Sequence, residues 1–251
     1  MLLTVDIGNS SINSAVFDGN NIVKHARINS DKSKTADYYL QKFKKEFQNI
    51  KITDCAIISV VNGLDYAIKE ACDQIFGINS KVLNIHDAKE IKIKTEKPES
   101  VGMDRVANLY AVLNSPLPAI VIDIGTAVTF DILSKDKEFI GGIIMPGLNM
   151  SLKALAEGTS KLTLINPDKS PNAIGTDTKT CILSGVIRGT ACAIDGLLEQ
   201  CIKELGECKT VILTGGQAEL VSKYMHTKAK INLNNTLEGI KILYKFLNTK
   251  R

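Results

Sequence analysis

One strand-and-turn pattern occurs twice in this chain, and it limits the fold more than anything else in the sequence. In Ala119–Asp131, AIVIDIGTAVTFD, the apolar run Ile120–Ile122 is too short for a helix and suits a buried strand. Asp123 ends the run with a carboxylate, Gly125 permits a turn at positive φ, and Thr126 adds a hydroxyl beside it. Val128–Ile132 resumes strand composition, so the stretch reads as a hairpin. Leu2–Ser10, LLTVDIGNS, repeats the pattern, with Asp6 corresponding to Asp123; Val16–Phe17 supplies the return strand and Asp18-Gly19 the next turn. Two copies predict a duplicated fold with two facing phosphate loops. The N–H groups of such a tip can hold phosphate oxygens, and its carboxylate can hold a cation directly or through water. Either tip, taken alone, would also serve as an ordinary turn.

The 251 residues allow one large or two moderate domains with a sizeable core. Apolar residues at 44% and charged residues at 23% are ordinary for a globular chain. The net charge of +4 is weak support for an anionic ligand. No basic stretch carries interleaved aromatics, so nucleic acid is not expected as a partner. Lys42–Lys51 reads as a solvated helix face. The six cysteines (55, 72, 181, 192, 201 and 208) form no Cys-x-x-Cys and mostly sit in apolar patterns. Buried reduced thiols and a cytoplasmic location are therefore expected. The first apolar run is broken by Asp6, unlike a signal peptide, and no run approaches the ~20 apolar residues of a spanning helix, so no membrane is expected.

Between and after the hairpins the patterns alternate. Asp31–Gln48 has Ala36, Leu40, Phe43 and Phe47 at helical spacing; Cys55–Val61 reads as a buried strand, Asp65–Phe76 as a helix capped by Gly77, and Lys81–Ile85 as a short strand. This order fits an α/β domain. Residues 87–100 read as a connection near a cleft. Gly102, Met103, Asp104 and Arg105 precede a helical pattern through Leu113. Asp104 there suits an N-cap with a solvated arginine beside it, the more common case for such a pattern; the functional alternative is a general base beside an anion-binding arginine. Phe139–Gly147 holds the pair Gly141-Gly142 and the turn Pro146-Gly147, and Leu148–Glu157 reads as a short helix. Residues 158–173 look irregular, with Pro167 and Pro171. A long helix then runs to Lys203, capped by Thr176 or Asp177, with Thr178 able to face a ligand. Thr210–Gly216 reads as a strand ending in a double glycine, open to a base or ribose or to a tight turn, and Thr236–Leu247 as a last helix.

With Asp6-Ile-Gly-Asn-Ser, Gly102-Met-Asp-Arg, Asp123-Ile-Gly-Thr-Ala-Val-Thr, Gly141-Gly-Ile-Ile-Met-Pro-Gly and Thr214-Gly-Gly in order, the chain resembles type III pantothenate kinases. That family belongs to the acetate/sugar kinase–Hsp70–actin superfamily. The resemblance spans roughly Met1 to Gly239. It implies an α/β fold of two ribonuclease-H-like (actin-like) halves related by duplication, 1–114 and 115–251, with a nucleotide cleft between them. It also implies ATP-dependent phosphorylation of pantothenate to 4′-phosphopantothenate, the first step towards coenzyme A, in a homodimer.

The resemblance also implies the site. Asp6, Ile7, Gly8, Asn9, Ser10, Ser11, Ile12 and Asn13 would form the first phosphate loop, with Mg²⁺ near Asp6 bridging the phosphates. Asp123 would bind a monovalent cation, K⁺ or NH₄⁺, and Thr126 would contact ATP. Thr214, Gly215 and Gly216 would lie by the adenosine. Asp104 would accept the proton, Gly102–Arg105 would bind pantothenate, and Thr178 would contact it. Three features depart from the family pattern. Thr95 stands where a tyrosine usually meets the substrate. Met103 replaces an alanine. Ser160 and Thr163 lie where Ala and Pro are common. Three rivals follow: a same-superfamily kinase of another small alcohol or acid, a non-catalytic regulatory or accessory protein on this fold, and an actin-like polymerising ATPase, for which the chain is short. Intact Asp6, Asp104, Arg105 and Asp123 argue against loss of catalysis.

Overall fold

The computed structural model describes residues 1–169 and 172–249. Pro171, expected in an irregular segment, and Lys250 and Arg251, at the end of the second expected domain, lie outside the described residues. The chain forms two compact units, divided after Asn114, with the chain from Asn234 onwards grouped with the first.

The first unit opens with β1 (Leu2–Ile7), β2 (Ser11–Asp18) and β3 (Asn21–Asn29), a meander turned at Gly19, whose φ is 60°. Then come α1 (Ala36–Phe47), β4 (Asp54–Ser59), α2 (Leu64–Phe76), β5 (Lys81–Val82), β6 (Lys92–Ile93) and α3 (Met103–Ala111). The sheet order is β3-β2-β1-β4-β5, with β1 antiparallel to β2 and parallel to β4. As a central strand covered on both faces, β1 is apolar almost throughout; its one fully buried polar side chain, Thr4, donates to the Ala15 carbonyl at 3.3 Å. Tyr39, Phe43 and Phe47 of α1 and Ile68 and Cys72 of α2 build the core on one side. The first helix starts later than the spacing suggests. Asp31 is held in a turn, its carboxylate accepting Ser33 N–H at 2.9 Å and its own N–H reaching the Tyr39 hydroxyl at 2.9 Å.

The second unit repeats this plan. It contains β7 (Ala119–Ile124), β8 (Ala127–Leu133), β9 (Glu138–Pro146), α4 (Leu148–Glu157), α5 (Thr178–Leu183), α6 (Gly189–Leu205), β10 (Thr210–Thr214), α7 (Ala218–Ser222) and β11 (Lys230–Ile231). Its strands run β9-β8-β7-β10-β11, the same order and directions as in the first unit. The correspondence extends to irregularities. Asp6 pairs with Asn13 and Asp123 with Thr129; three steps beyond each partner the ladder slips, between Val16 and Phe17 and between Ile132 and Leu133. A shared bulge at one position marks two copies of one design.

The expected long helix is present but interrupted. Ser184–Arg188 forms a wider π turn between α5 and α6. The continuous stretch Thr178–Leu205 is long and apolar enough, by length and composition, to cross a membrane, which the sequence reading did not anticipate. Leu183, Ile187, Ala191, Ile194 and Leu198 on it belong to the core of the second unit.

The last helix, α8 (Asn235–Thr249), corrects the expected division at 115–251. It packs on α3 and on β1 and β4 of the first unit. Gly239 permits this contact, because a Cβ there would run into the backbone of Ala107.

Candidate active site

In the first unit, β1 delivers Asp6 half-buried at the strand's end, before the tip Gly8-Asn9-Ser10. The Gly8 N–H closes the tip onto the Ser11 carbonyl at 3.0 Å, and the Ser10 carbonyl accepts Ser30 N–H at 3.2 Å. Ile7 and Ile12 are buried beneath, while Asn9 and Ser10 are exposed and Ser11 and Asn13 half-buried. The loop therefore has an anchored base and an exposed polar rim.

Gly102–Arg105 lies against this loop through β4. The Val60 N–H donates to the Ile7 carbonyl at 3.1 Å, and the Val60 side chain comes within 3.4 Å of where a Gly102 Cβ would stand. The helix cap is Gly102, not Asp104. Asp104 is the second residue of α3, and its Oδ1 accepts the Arg105 N–H at 2.8 Å while crowding the Cβ position of Gly102. A side chain at 102 would therefore displace this carboxylate from its present position. Burial pushes the Asp104 carboxyl above the ordinary carboxylate range, and the Arg105 N–H and guanidinium offset only part of that. A base shifted upward in this way is better matched to a proton at neutral pH. Met103 is buried under the helix start, and Thr95 is half-buried with its hydroxyl shielded and without a hydrogen-bond partner among the described residues.

Behind α3, residues that the sequence reading passed over hold it in place. Asn235 donates through Nδ2 to the Asn108 carbonyl at 3.0 Å, and the Thr236 hydroxyl donates to Asn108 Oδ1 at 2.8 Å. The final turn of α3 tightens, with Val112 N–H bonding Leu109 instead of Asn108, so the Asn235 amide serves a carbonyl near the helix end. The only sequence signal was two asparagines at positions of otherwise apolar helical pattern.

In the second unit, Asp123, Gly125, Thr126 and Gly215 converge. Gly125 N–H closes the tip onto the Ala127 carbonyl at 2.9 Å, and Thr126 is exposed, its carbonyl accepting Gly147 N–H at 3.1 Å. Gly147, read from sequence as a turn, is a packing requirement, since a Cβ would strike the carbonyls of Gly125 and Thr126. Thr214 pairs with Asp123 across the parallel ladder. Gly215, at φ 89°, brings its backbone onto the Asp123 carboxylate and Ile124, where no side chain fits. Gly216 follows in the turn that enters α7, and Gln217 N–H donates to the Ile124 carbonyl at 3.0 Å. Thr178 stands apart as the exposed first residue of α5, which Asp177 caps by accepting Thr180 N–H at 2.9 Å.

Two carboxylate-ended hairpins thus stand at equivalent places on duplicated sheets, and comparison with known proteins identifies the family. Residues 2–200 match the model of the family described as type III pantothenate kinase. The chain belongs to the type III pantothenate kinase family. Proteins so named from Exiguobacterium sp. and Roseiflexus castenholzii are 32% and 34% identical over 250 residues, covering 97% of this chain and 98% of each relative. The Desulfotalea psychrophila kinase of that name is 33% identical over the full length of both chains. Among solved structures, a protein described as a putative Baf family transcriptional activator from Campylobacter jejuni is similar, with a TM-score of 0.63 and 23% identity over 99% of this chain and 100% of its own. MreB5 of Spiroplasma citri, solved with ADP, gives 0.53 at 13% identity over 99% and 97%. These neighbours bear out the actin-like duplication of ribonuclease-H-like halves.

Proposed function

We infer that this type III pantothenate kinase family member transfers a phosphoryl group from ATP to pantothenate, giving 4′-phosphopantothenate, the first step of coenzyme A biosynthesis. The observation that carries this reading is the family match along nearly the whole chain, with the Gly102–Arg105 segment intact beside the first loop.

The residue roles follow from chemistry. The tips Gly8–Ser11 and Gly125-Thr126 would cradle phosphate oxygens with backbone N–H and hydroxyl groups. Gly215 and Gly216 would let adenosine approach the backbone. Asp104 would accept the proton of the primary alcohol as it attacks the γ-phosphorus, and Arg105 would hold the pantothenate carboxylate. Thr95 and Thr178 would offer hydroxyls to the substrate, and Met103 would shape the floor. Hard oxygen donors at the strand ends fit the expected cations: Asp6 would hold Mg²⁺ with the phosphates, and Asp123, crowded by Gly215, would hold K⁺ or NH₄⁺. Bound there, these ions would offset the charge that accumulates during phosphoryl transfer.

The reading includes a homodimer in the cytoplasm. Support for the dimer comes from apolar side chains exposed on the second unit, among them Ile174 (84% exposed), Leu164 (67%) and Ile144 (65%). A second reading, a kinase of another small alcohol, is favoured by one observation: the Thr95 hydroxyl lacks a partner where the family places an aromatic ring. A coupled assay with ATP, pantothenate and a panel of small alcohols decides. Pantothenate should be the best acceptor, and efficient turnover of another alcohol without pantothenate turnover would establish the second reading.

A further inference from the structure

We propose that Tyr110 and Glu90 are positioning residues for the transfer reaction: they tie off the loop of chain that carries the acceptor-binding residues of the first unit. This rests on the roles given above to Asp104 and Thr95. Tyr110 lies further along α3 than Asp104 and is fully buried, its ring edge-on to Phe246 of α8 with centroids 6.2 Å apart. Its hydroxyl donates to Glu90 Oε2 at 2.9 Å and accepts the Glu90 N–H at 3.2 Å. One phenol thus grips both the side chain and the backbone of a residue 20 positions earlier. Burial holds the phenol well above its ordinary pKa, so it stays a donor at neutral pH.

The loop closed by this grip contains Thr95, Gly102, Met103, Asp104 and Arg105, every first-unit residue assigned above to the acceptor. Its outer part is open to solvent: Lys94 and residues 96–100 are exposed, and Pro98–Ser100 form only a single short helical turn. The base is carried by α3, whereas Thr95 follows Glu90 through the short strand β6. The spacing between base and acceptor wall therefore depends on the tie, and a misplacement of about 1 Å can cost on the order of 10²-fold in rate. The hydroxyl is not explained by packing. A phenylalanine ring would meet Phe246 equally well, and a buried hydroxyl costs free energy unless it is bonded, as it is here by Glu90.

The test compares Tyr110→Phe, Glu90→Ala, Glu90→Gln and the Tyr110→Phe/Glu90→Ala pair in the full chain. The acceptor is pantothenate or, if the panel assay selects another alcohol, that alcohol. Tyr110→Phe keeps the ring and removes only the grip. It should lower kcat/KM for the acceptor about tenfold, the scale of one buried hydrogen bond to a charged group, while the KM for ATP stays within about twofold. Glu90→Ala should do the same, and the double variant should be no worse than either, because one tie is lost only once. Glu90→Gln, whose amide oxygen accepts the same hydrogen bond, should stay within about threefold of the parent. Hydrogen exchange, which needs no turnover, should quicken over residues 92–101 in Tyr110→Phe and stay parental in β1. A Tyr110→Phe variant that exchanges like the parent, or that uses the acceptor like the parent whatever its Tm, would overturn the proposal. Equal losses towards ATP and acceptor, or a Glu90→Gln variant as impaired as Glu90→Ala, would overturn it too. A parent inactive on pantothenate would instead overturn the functional reading, and the tie would be judged on the selected acceptor and on exchange.

Discussion

Asp104 occupies the second position of α3, where its carboxylate bends back over the helix start and meets the Arg105 N–H. Because the cap is Gly102, an amide in place of the carboxylate removes no N-cap. Burial raises its folded-state pKa above the unfolded value of about 3.9. The stability this group contributes is therefore present below that value and is lost as pH rises through the folded-state pKa. Asn cannot ionise, so Asp104→Asn should be at least as stable as the parent at neutral pH. As general base the carboxylate would supply ~10²–10⁴-fold, so kcat should fall by about that factor while ATP still binds. Measuring kcat, ATP affinity and Tm on one preparation checks all three. A stable variant within a few-fold of parental turnover would take Asp104 out of the mechanism.

Helices α3 and α8 behave as one piece. Gly239 is where their backbones touch, and Asn108, Asn235 and Thr236 close the polar contacts that this approach would otherwise leave buried and unmet. Gly239→Ala must push α8 away from Ala107. Overpacking of this kind typically costs about 1–3 kcal/mol, which for a chain of this size lowers Tm by roughly 2–4 °C per kcal/mol. The displacement is passed to the helix that bears Asp104, so kcat should drop while the KM for ATP stays near the parent. An unchanged Tm would show that the helices tolerate the methyl group. None of this could be read from the chain, because a glycine and two asparagines in a helical pattern carry no sign of a partner over a hundred residues away. Local features were readable: the Gly77 cap, the buried strand β4 and both hairpin tips, where an apolar run stops at Asp and a glycine follows. Strand β3 was hidden by its polar edge, in which exposed His25 and Arg27 alternate with half-buried Lys24 and Ala26. The π turn at Ser184–Arg188 leaves no compositional mark, since one extra residue per turn changes register and not residue type. In the candidate site, residue identities were legible and surroundings were not: nothing in the sequence foretold that Gly215 would lie on the Asp123 carboxylate or that the Thr95 hydroxyl would lack a partner.

At the scale of the molecule, two sheets with the same strand order each end in a carboxylate-bearing hairpin, and a triphosphate held by both tips, as proposed, would bring negative charge towards Asp6 and Asp123. In the proposed reading Mg²⁺ with the phosphates would sit at Asp6 and a monovalent ion at Asp123. Activity should therefore rise from tris buffer to potassium at fixed Mg²⁺ and ionic strength. Equal rates in potassium, sodium and tris would remove the ion from Asp123.

The return of α8 to the first unit also sets an order on manufacture. Ser115–Leu233 is contiguous and can close as it leaves the ribosome, but the earlier half lacks the helix that covers α3, β1 and β4 until the final residues are made. At about 5–20 residues per second, the half born first waits on the order of ten seconds for its last part, holding its apolar surface open while its later-made neighbour is already folding.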